Sequence, residues 1–285
     1  MTAGVPKISV IYLSYIPFGI SHLADFVNSY NMFEAGCPHS LVIVFKGMIN
    51  QDQVIPYLNL LEQSRVNFST LYYAGDGIDL DAYFWAAGQL EDQHLYFLNT
   101  NSILRADNWL EYYVHNFSDC TGMISATASY QSYYSTVFGN NKMAWEFKND
   151  FMVNFRKYKL FLKALLFWRF HFKPFPNPHI RTNAFMVRKK DFLESYRGPV
   201  NTKFNAYRYE SGRNSITSYF LKKGLKVLVV DKYGRTYGPE QWAASSTFRI
   251  RQQENLLVAD NQTRIYELAD EENKRSMTKL SWGDQ

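Results

Sequence analysis

Cysteine is nearly missing from this chain. Cys37 and Cys120 are its only two, and their spacing gives neither a metal site nor a disulfide framework. A reducing, cytoplasmic setting is the expectation. No run approaches the roughly 18 uninterrupted apolar residues of a spanning helix. Residues 1–7 are short and polar and a strand-like run starts at Ile8, so no leader peptide is expected. Repeats, low-complexity tracts and clear interdomain linkers are also missing. After the first apolar run, Tyr15-Ile-Pro-Phe-Gly19 holds a single glycine. That counts against the Gly-x-Gly-x-x-Gly turn of a dehydrogenase. The net charge of +5 and pI of about 8.9 suit an anionic partner, such as a nucleotide diphosphate or an acidic membrane surface. They are too weak to argue for nucleic acid.

What is present is a large core. Hydrophobic residues make up 46% of 285 positions, enough for one large domain. Aromatics reach 17%, with 21 Tyr and 22 Phe. Most such rings belong in a core, and exposed ones stack on sugars or bases. Apolar runs over 7–15, 40–45, 67–73 and 94–98 read as strands, and periodic segments over 19–33, 51–63 and 80–90 read as helices between them. Such alternation calls for a parallel sheet with right-handed crossovers. Ligands then bind at the carboxyl ends of the strands, which brings Ser14, Tyr15, residues 76–81 and residues 99–102 to one crevice. The second half offers strands over 121–126, 182–188 and 225–231 and a helix over 211–223. Residues 252–285 read as a polar helical tail.

Four segments together resemble GT-A glycosyltransferases, close to the rhamnan-synthesis-type bacterial enzymes. They are Asp79-Leu-Asp-Ala-Tyr83, Leu95-Tyr-Phe-Leu-Asn-Thr-Asn-Ser102, Pro178-His-Ile-Arg-Thr-Asn-Ala-Phe-Met-Val-Arg188, and Tyr209-Glu-Ser-Gly-Arg213 with the strand that follows. The resemblance spans roughly residues 7–240. It implies a GT-A-like, Rossmann-like α/β domain over 1–251 with a mostly parallel sheet flanked by helices. Residues 1–120 form its nucleotide-sugar half and 121–251 its acceptor half, with the tail beyond. It also implies sugar transfer from a nucleotide-sugar to a saccharide or lipid-linked saccharide, with inversion, in cell-surface polysaccharide or lipopolysaccharide synthesis. The alternative is a non-catalytic nucleotide- or glycan-binding member of the same fold.

Glu210 matches the family's catalytic acid. Preceding a glycine at an expected helix start, it could equally serve the helix dipole. Asp79 and Asp81 fall where the donor's base and ribose are held, though Asp79 could equally cap a helix. The family's metal-binding Asp-x-Asp reads Asn99-Thr100-Asn101 here, and Asn99 and Asn101 are expected either to hydrogen-bond the donor sugar or its phosphates or to stabilise the turn at the strand end. Amide oxygens are weak ligands for Mg²⁺ or Mn²⁺, so no residue is assigned to metal and at most a weakly held Mn or Mg ion is expected. Arg181, Arg188 and Arg213 are available to neutralise phosphate, and His179 and Arg181 follow a turn beside the acceptor strand.

Residues 155–173 contain no acidic side chain. As a helix they align Tyr158, Phe161, Leu165, Trp168 and Phe172, with Arg156, Lys159, Lys163, Arg169 and Lys173 on the other side. That composition suits peripheral docking at the inner face of a membrane, or burial in the fold or a homo-oligomer interface.

Overall fold

The apolar runs become one eight-stranded sheet in a computed structural model that describes residues 7–139 and 151–284, with only the backbone of 139 and 151–158. The first half supplies β1 (Ile8–Tyr15), β2 (Ser40–Lys46), β3 (Phe68–Tyr73) and β4 (His94–Leu98), all mutually parallel. Helices α1 (Ile20–Met32), α2 (Ile55–Gln63) and α3 (Asp79–Gln89) connect them. Along β1, Val10 and Tyr12 enter one core layer while Ile11 and Leu13 enter the other. Alternation over two covered faces is why the strand reads as a continuous apolar run.

The second half extends the sheet through β6 (Thr121–Ser125), β9 (Ala184–Arg188), β10 (Lys226–Val230) and β11 (Thr236–Tyr237), in the order β11-β10-β6-β9-β4-β1-β2-β3. Here β9 runs antiparallel to both β4 and β6. Its first residues therefore meet the carboxyl ends of its neighbours, with Ala184 opposite Leu98. One antiparallel strand inside a parallel sheet thus brings residues 181–183 to the edge where β1 and β4 finish. The mostly parallel α/β architecture is the one expected.

Two expectations change. The helix expected over 211–223 is two helices, α8 (Lys203–Ser211) and α9 (Ile216–Lys222), behind α7 (Lys189–Glu194). Thr202 starts α8 by accepting from the Asn205 N–H, and Ser215 starts α9 by accepting from the Ser218 N–H. Gly212 lies between them, where a Cβ would collide with the carbonyl oxygen of Arg208. Glu210 consequently sits in a last helical turn, where the dipole gives a carboxylate no stabilisation, so the dipole reading falls.

The tail is no appendage. Within it, β12 (Val258–Ala259) pairs with β5 (Ile103–Leu104), followed by α10 (Asn261–Leu268) and α11 (Glu271–Trp282). Trp282 is buried and donates its indole N–H to the Phe248 carbonyl at 2.7 Å. A boundary at 251 cuts through packed structure.

The basic aromatic segment forms α6 (Phe151–His171), and of the two settings expected for its aromatic stripe the structure shows burial in the fold. Phe172, just past it, is fully buried, Trp168 stacks on it, and both rings pack near Phe204 of α8. Phe161 meets Phe138 of α5 (Tyr133–Gly139). The aromatic stripe therefore points inward, while Leu160, Leu166 and Phe170 are 62%, 66% and 76% exposed beside exposed Lys163, Arg169 and Lys173. The side chains of Arg156 and Tyr158, and residues 143–150 before them, lie outside the described residues.

Candidate functional site

Two chambers open along the carboxyl ends of the parallel strands and share a wall. The first, about 420 Å³, is bounded by Ile78, Asp79 and Leu80 at the start of α3, by Asn99 after β4, and by residues 181–183 before β9. Lys203, Ala206, Tyr207 and Glu210 of α8 and Asp260 and Asn261 of the tail complete it. The second, about 330 Å³, is bounded by Ser129 of β7 (Ala128–Ser129), Gln131, Tyr133 of α5 and His179 of β8 (His179–Ile180). Phe248, Arg249 and Gln262 close its far side. Arg181, Tyr207 and Glu210 border both chambers.

The shared wall is tightly held. Glu210 Oε1 accepts from the Thr182 N–H at 2.8 Å and lies 3.4 Å from the Thr182 hydroxyl. Its Oε2 has no hydrogen-bond partner among the described residues. Arg181 donates to the buried carboxylate of Asp260 at 2.8 Å and lies 4.2 Å over the Phe248 ring. Asp260 also accepts from the Thr263 N–H at 2.8 Å, closing a capping box that starts α10. One carboxylate thus anchors both the tail helix and the cleft arginine. Tyr207 stacks on Tyr133 with ring centroids 4.4 Å apart, so an aromatic pair floors the junction.

Burial shapes the second chamber's titration. His179 Nδ1 lies 2.8 Å from the Asn177 carbonyl, which can only accept, so Nδ1 carries the hydrogen and Nε2 is the accepting nitrogen. Burial holds the His179 pKa below its ordinary value. The Glu210 charge opposes that effect and Arg181 adds to it. The Tyr133 hydroxyl is pushed up by burial and then by neighbouring Glu210. Arg249 is pushed down to about 10 by burial and by Arg181, and remains a cation at neutral pH.

Not every expected residue reaches the cleft. Asp79 borders the first chamber, half exposed, with Lys46 Nζ at 3.1 Å. Lys46 also lies 5.0 Å over the Tyr15 ring. Asp81 is occupied by the Tyr73 hydroxyl. Ser14 is buried inside β1 and borders neither chamber. Thr100 ties the strand ends together, donating to the Leu13 carbonyl at 2.7 Å and accepting from the Tyr15 N–H at 3.1 Å. Asn99 borders the first chamber, but its Oδ1 accepts from the Asn101 N–H at 3.0 Å and the Ser102 hydroxyl at 3.1 Å. Asn101 Oδ1 faces Arg264 Nη2 at 3.5 Å.

Arg213 is displaced from the expected site. Its Nε donates to the Arg169 carbonyl at 2.8 Å and its N–H to the His171 carbonyl at 2.9 Å, so it caps the end of α6. Arg188 is also engaged elsewhere, with Asp191 at 2.7 Å. Sequence reading missed Gln131, Tyr133, Tyr207, Phe248, Arg249, Asp260 and Gln262. Only Asp260 carries a local signal, the Asp-x-x-Thr start of a helix.

A divalent metal fits this donor set poorly. The amide oxygens of Asn99 and Asn101 are neutral and already engaged. The nearby carboxylates of Asp79, Asp81 and Asp260 are held by Lys46, Tyr73 and Arg181. Among the described residues no three His, Cys, Asp or Glu side chains come together as a metal-binding group.

Neither a family model nor a curated protein matches the chain. Among solved structures it is similar to the mannosyltransferase PcManGT from Pyrobaculum calidifontis in complex with GDP-Man and Mn²⁺, at 11% identity over 43% of this chain and 36% of that one, with a TM-score of 0.36. S. aureus TarS is 14% identical over 42% and 21% of the two chains, with a TM-score of 0.31. GalNAc-T7 with UDP, GalNAc and Mn²⁺ is 12% identical over 79% and 42%, with a TM-score of 0.46. The matched part spans less than half the length of each of these proteins.

Proposed function

We propose that the chain is a GT-A-type glycosyltransferase, moving a sugar from a nucleotide-sugar donor to a saccharide or lipid-linked saccharide. The observation that carries this reading is a carboxylate, Glu210, that borders both chambers. Glu210 is fixed through Oε1, leaving Oε2 for chemistry. The donor occupies the strand-end chamber, where Asp79 and Asn99 contact its nucleoside and sugar. The acceptor occupies the chamber of Tyr133, His179 and Arg249. Glu210 removes the acceptor hydroxyl proton as that oxygen attacks the anomeric carbon. The bond from carbon to the diphosphate oxygen breaks on the opposite face, and the configuration inverts. Arg181, bordering both chambers, orients the reactants.

Isothermal calorimetry with UDP, GDP and dTDP tests the donor half. At least one is expected to bind with submillimolar affinity and to raise the melting temperature as a native-state ligand must. No binding by any of the three at millimolar concentration defeats the proposal. The neutral Asn99 and Asn101 favour a second reading, a binding protein without turnover. In that case a nucleotide-sugar binds but no nucleoside diphosphate is released from it.

We further propose a role in cell-surface polysaccharide synthesis at an anionic membrane. Supporting it is the outer face of α6, where Leu160, Leu166 and Phe170 alternate with basic side chains. No acidic residue occurs from Phe151 to Lys190. Each basic residue near an anionic surface contributes roughly 1 kcal/mol. Vesicles containing phosphatidylglycerol are expected to sediment the chain, and phosphatidylcholine vesicles are not. A variant with Lys163→Glu, Leu166→Glu and Phe170→Glu should stay in the supernatant. Equal recovery of the unaltered chain with both vesicle types sinks this reading.

A further inference from the structure

A departing nucleoside diphosphate needs positive charge against it, and a fixed cation aimed at that charge is among the strongest aids an active site can supply. The residues at the ends of β1 and β4 are poorly suited to hold that charge as a metal ion, for the reasons of donor chemistry given above. The cations in place there are unequally committed. Lys46 is paired with Asp79 and Arg181 with Asp260. Lys203, on the chamber wall, is exposed and in no ion pair among the described residues, and Arg264 is likewise uncommitted. It stands in the first turns of α10, half-buried, and its guanidinium reaches Asn101 Oδ1 at 3.5 Å. Among the described residues it pairs with no carboxylate, whereas nearby Arg105 holds Glu267 through two bonds of 2.6 and 2.8 Å. Two acceptors would suit its donors better than one long contact to a neutral amide.

The position is as telling as the missing partner. Asn101 follows Thr100, whose side chain joins β1 to β4, so Arg264 lies beside the seam where those two strands end, next to the chamber that Asn99 and Asn261 border though not in its wall. A guanidinium touching Asn101 also makes the spot electrostatically hostile to a divalent cation. We propose that Arg264, delivered by the tail, binds the diphosphate of the donor in place of a metal ion. This rests on the reading that a nucleoside diphosphate occupies the strand-end chamber. A planar guanidinium can hold two phosphate oxygens at once, and the Asn101 amide keeps it aimed.

Calorimetry separates the possibilities, using whichever of UDP, GDP or dTDP binds best, together with its parent nucleoside. In the unaltered chain, nucleoside diphosphate affinity with EDTA should stay within about twofold of that with Mn²⁺. Arg264→Gln should weaken the diphosphate at least about tenfold, the range of a charge-assisted pair, while leaving the parent nucleoside unchanged. The unchanged nucleoside certifies that the variant is folded. Arg264→Lys, which keeps the charge without the fork, should fall between. Diphosphate binding that is lost in EDTA and restored by Mn²⁺ overturns the proposal. So does Arg264→Gln binding the diphosphate as tightly as the unaltered chain. Failure of every nucleoside diphosphate to bind the unaltered chain defeats the donor reading itself, and this proposal with it.

Discussion

Glu210→Gln is expected to lower turnover by about 100-fold or more, the usual contribution of a positioned general base. Donor affinity should change little. Glutamine fits the same space, and its side-chain oxygen can still accept from the Thr182 N–H that now holds Oε1 at 2.8 Å. The wall between the chambers therefore survives, and only the proton acceptor is lost. Release of nucleoside diphosphate from the bound nucleotide-sugar, followed in a coupled assay, reads the rate. Calorimetry with the same nucleotide reads the affinity. More than about a tenth of the original rate would remove Glu210 from the role of base, since that loss is too small for the mechanism. A large loss of donor affinity would point instead to a structural part in the wall.

Asp260→Ala is expected to be the costliest substitution for stability. The carboxylate is buried, and it neutralises Arg181 at 2.8 Å while capping α10 through the Thr263 N–H. Breaking a buried ion pair from one side typically costs about 3–5 kcal/mol. Losing an N-cap adds about 1 kcal/mol. Arg181 borders both chambers and gains some hydration from them, which moves the first figure toward its lower end. Asp260→Asn should cost less, because an amide oxygen still caps the helix and can accept from the guanidinium. Urea unfolding of the three proteins measures the order. Equal midpoints for Asp260→Ala and the unaltered chain would show that Arg181 finds its compensation elsewhere.

The sheet was legible because its strands are buried on both faces, so residues 8–15 and 40–46 read as apolar runs that few other elements produce. The junction of α8 and α9 was harder. Tyr209-Glu-Ser-Gly-Arg213 looks like the start of one helix, and only the side chains of Thr202 and Ser215 divide it into the end of one and the beginning of another. Glu210, taken mainly from its match to the family's catalytic acid, borders both chambers, but from the end of a helix and not from the start that was expected. Arg213 sits three residues further on, and that break turns it away to the end of α6. The second chamber could not be read from sequence. Gln131, Tyr133, Arg249 and Gln262 come from three separate stretches that carry no shared period. In the tail, the run Leu256-Leu-Val-Ala259 was the one available hint of a buried strand, and all four residues are buried.

That the tail carries Asp260, Gln262 and Trp282 has a consequence for how the protein comes to exist. A ribosome delivers the sheet first, at about 5–20 residues per second. By the time β10 has emerged, the elements that carry Glu210 and Arg181 to the cleft are available. Yet Arg181 still lacks its counter-ion, and the Phe248 carbonyl still lacks its indole donor. During that interval the growing chain holds a sheet with an uncompensated arginine and an open core beneath residue 248. The cleft is therefore completed last, once residues 256–282 have emerged, and a translation product ending before them lacks both the counter-ion of Arg181 and the indole bond to Phe248.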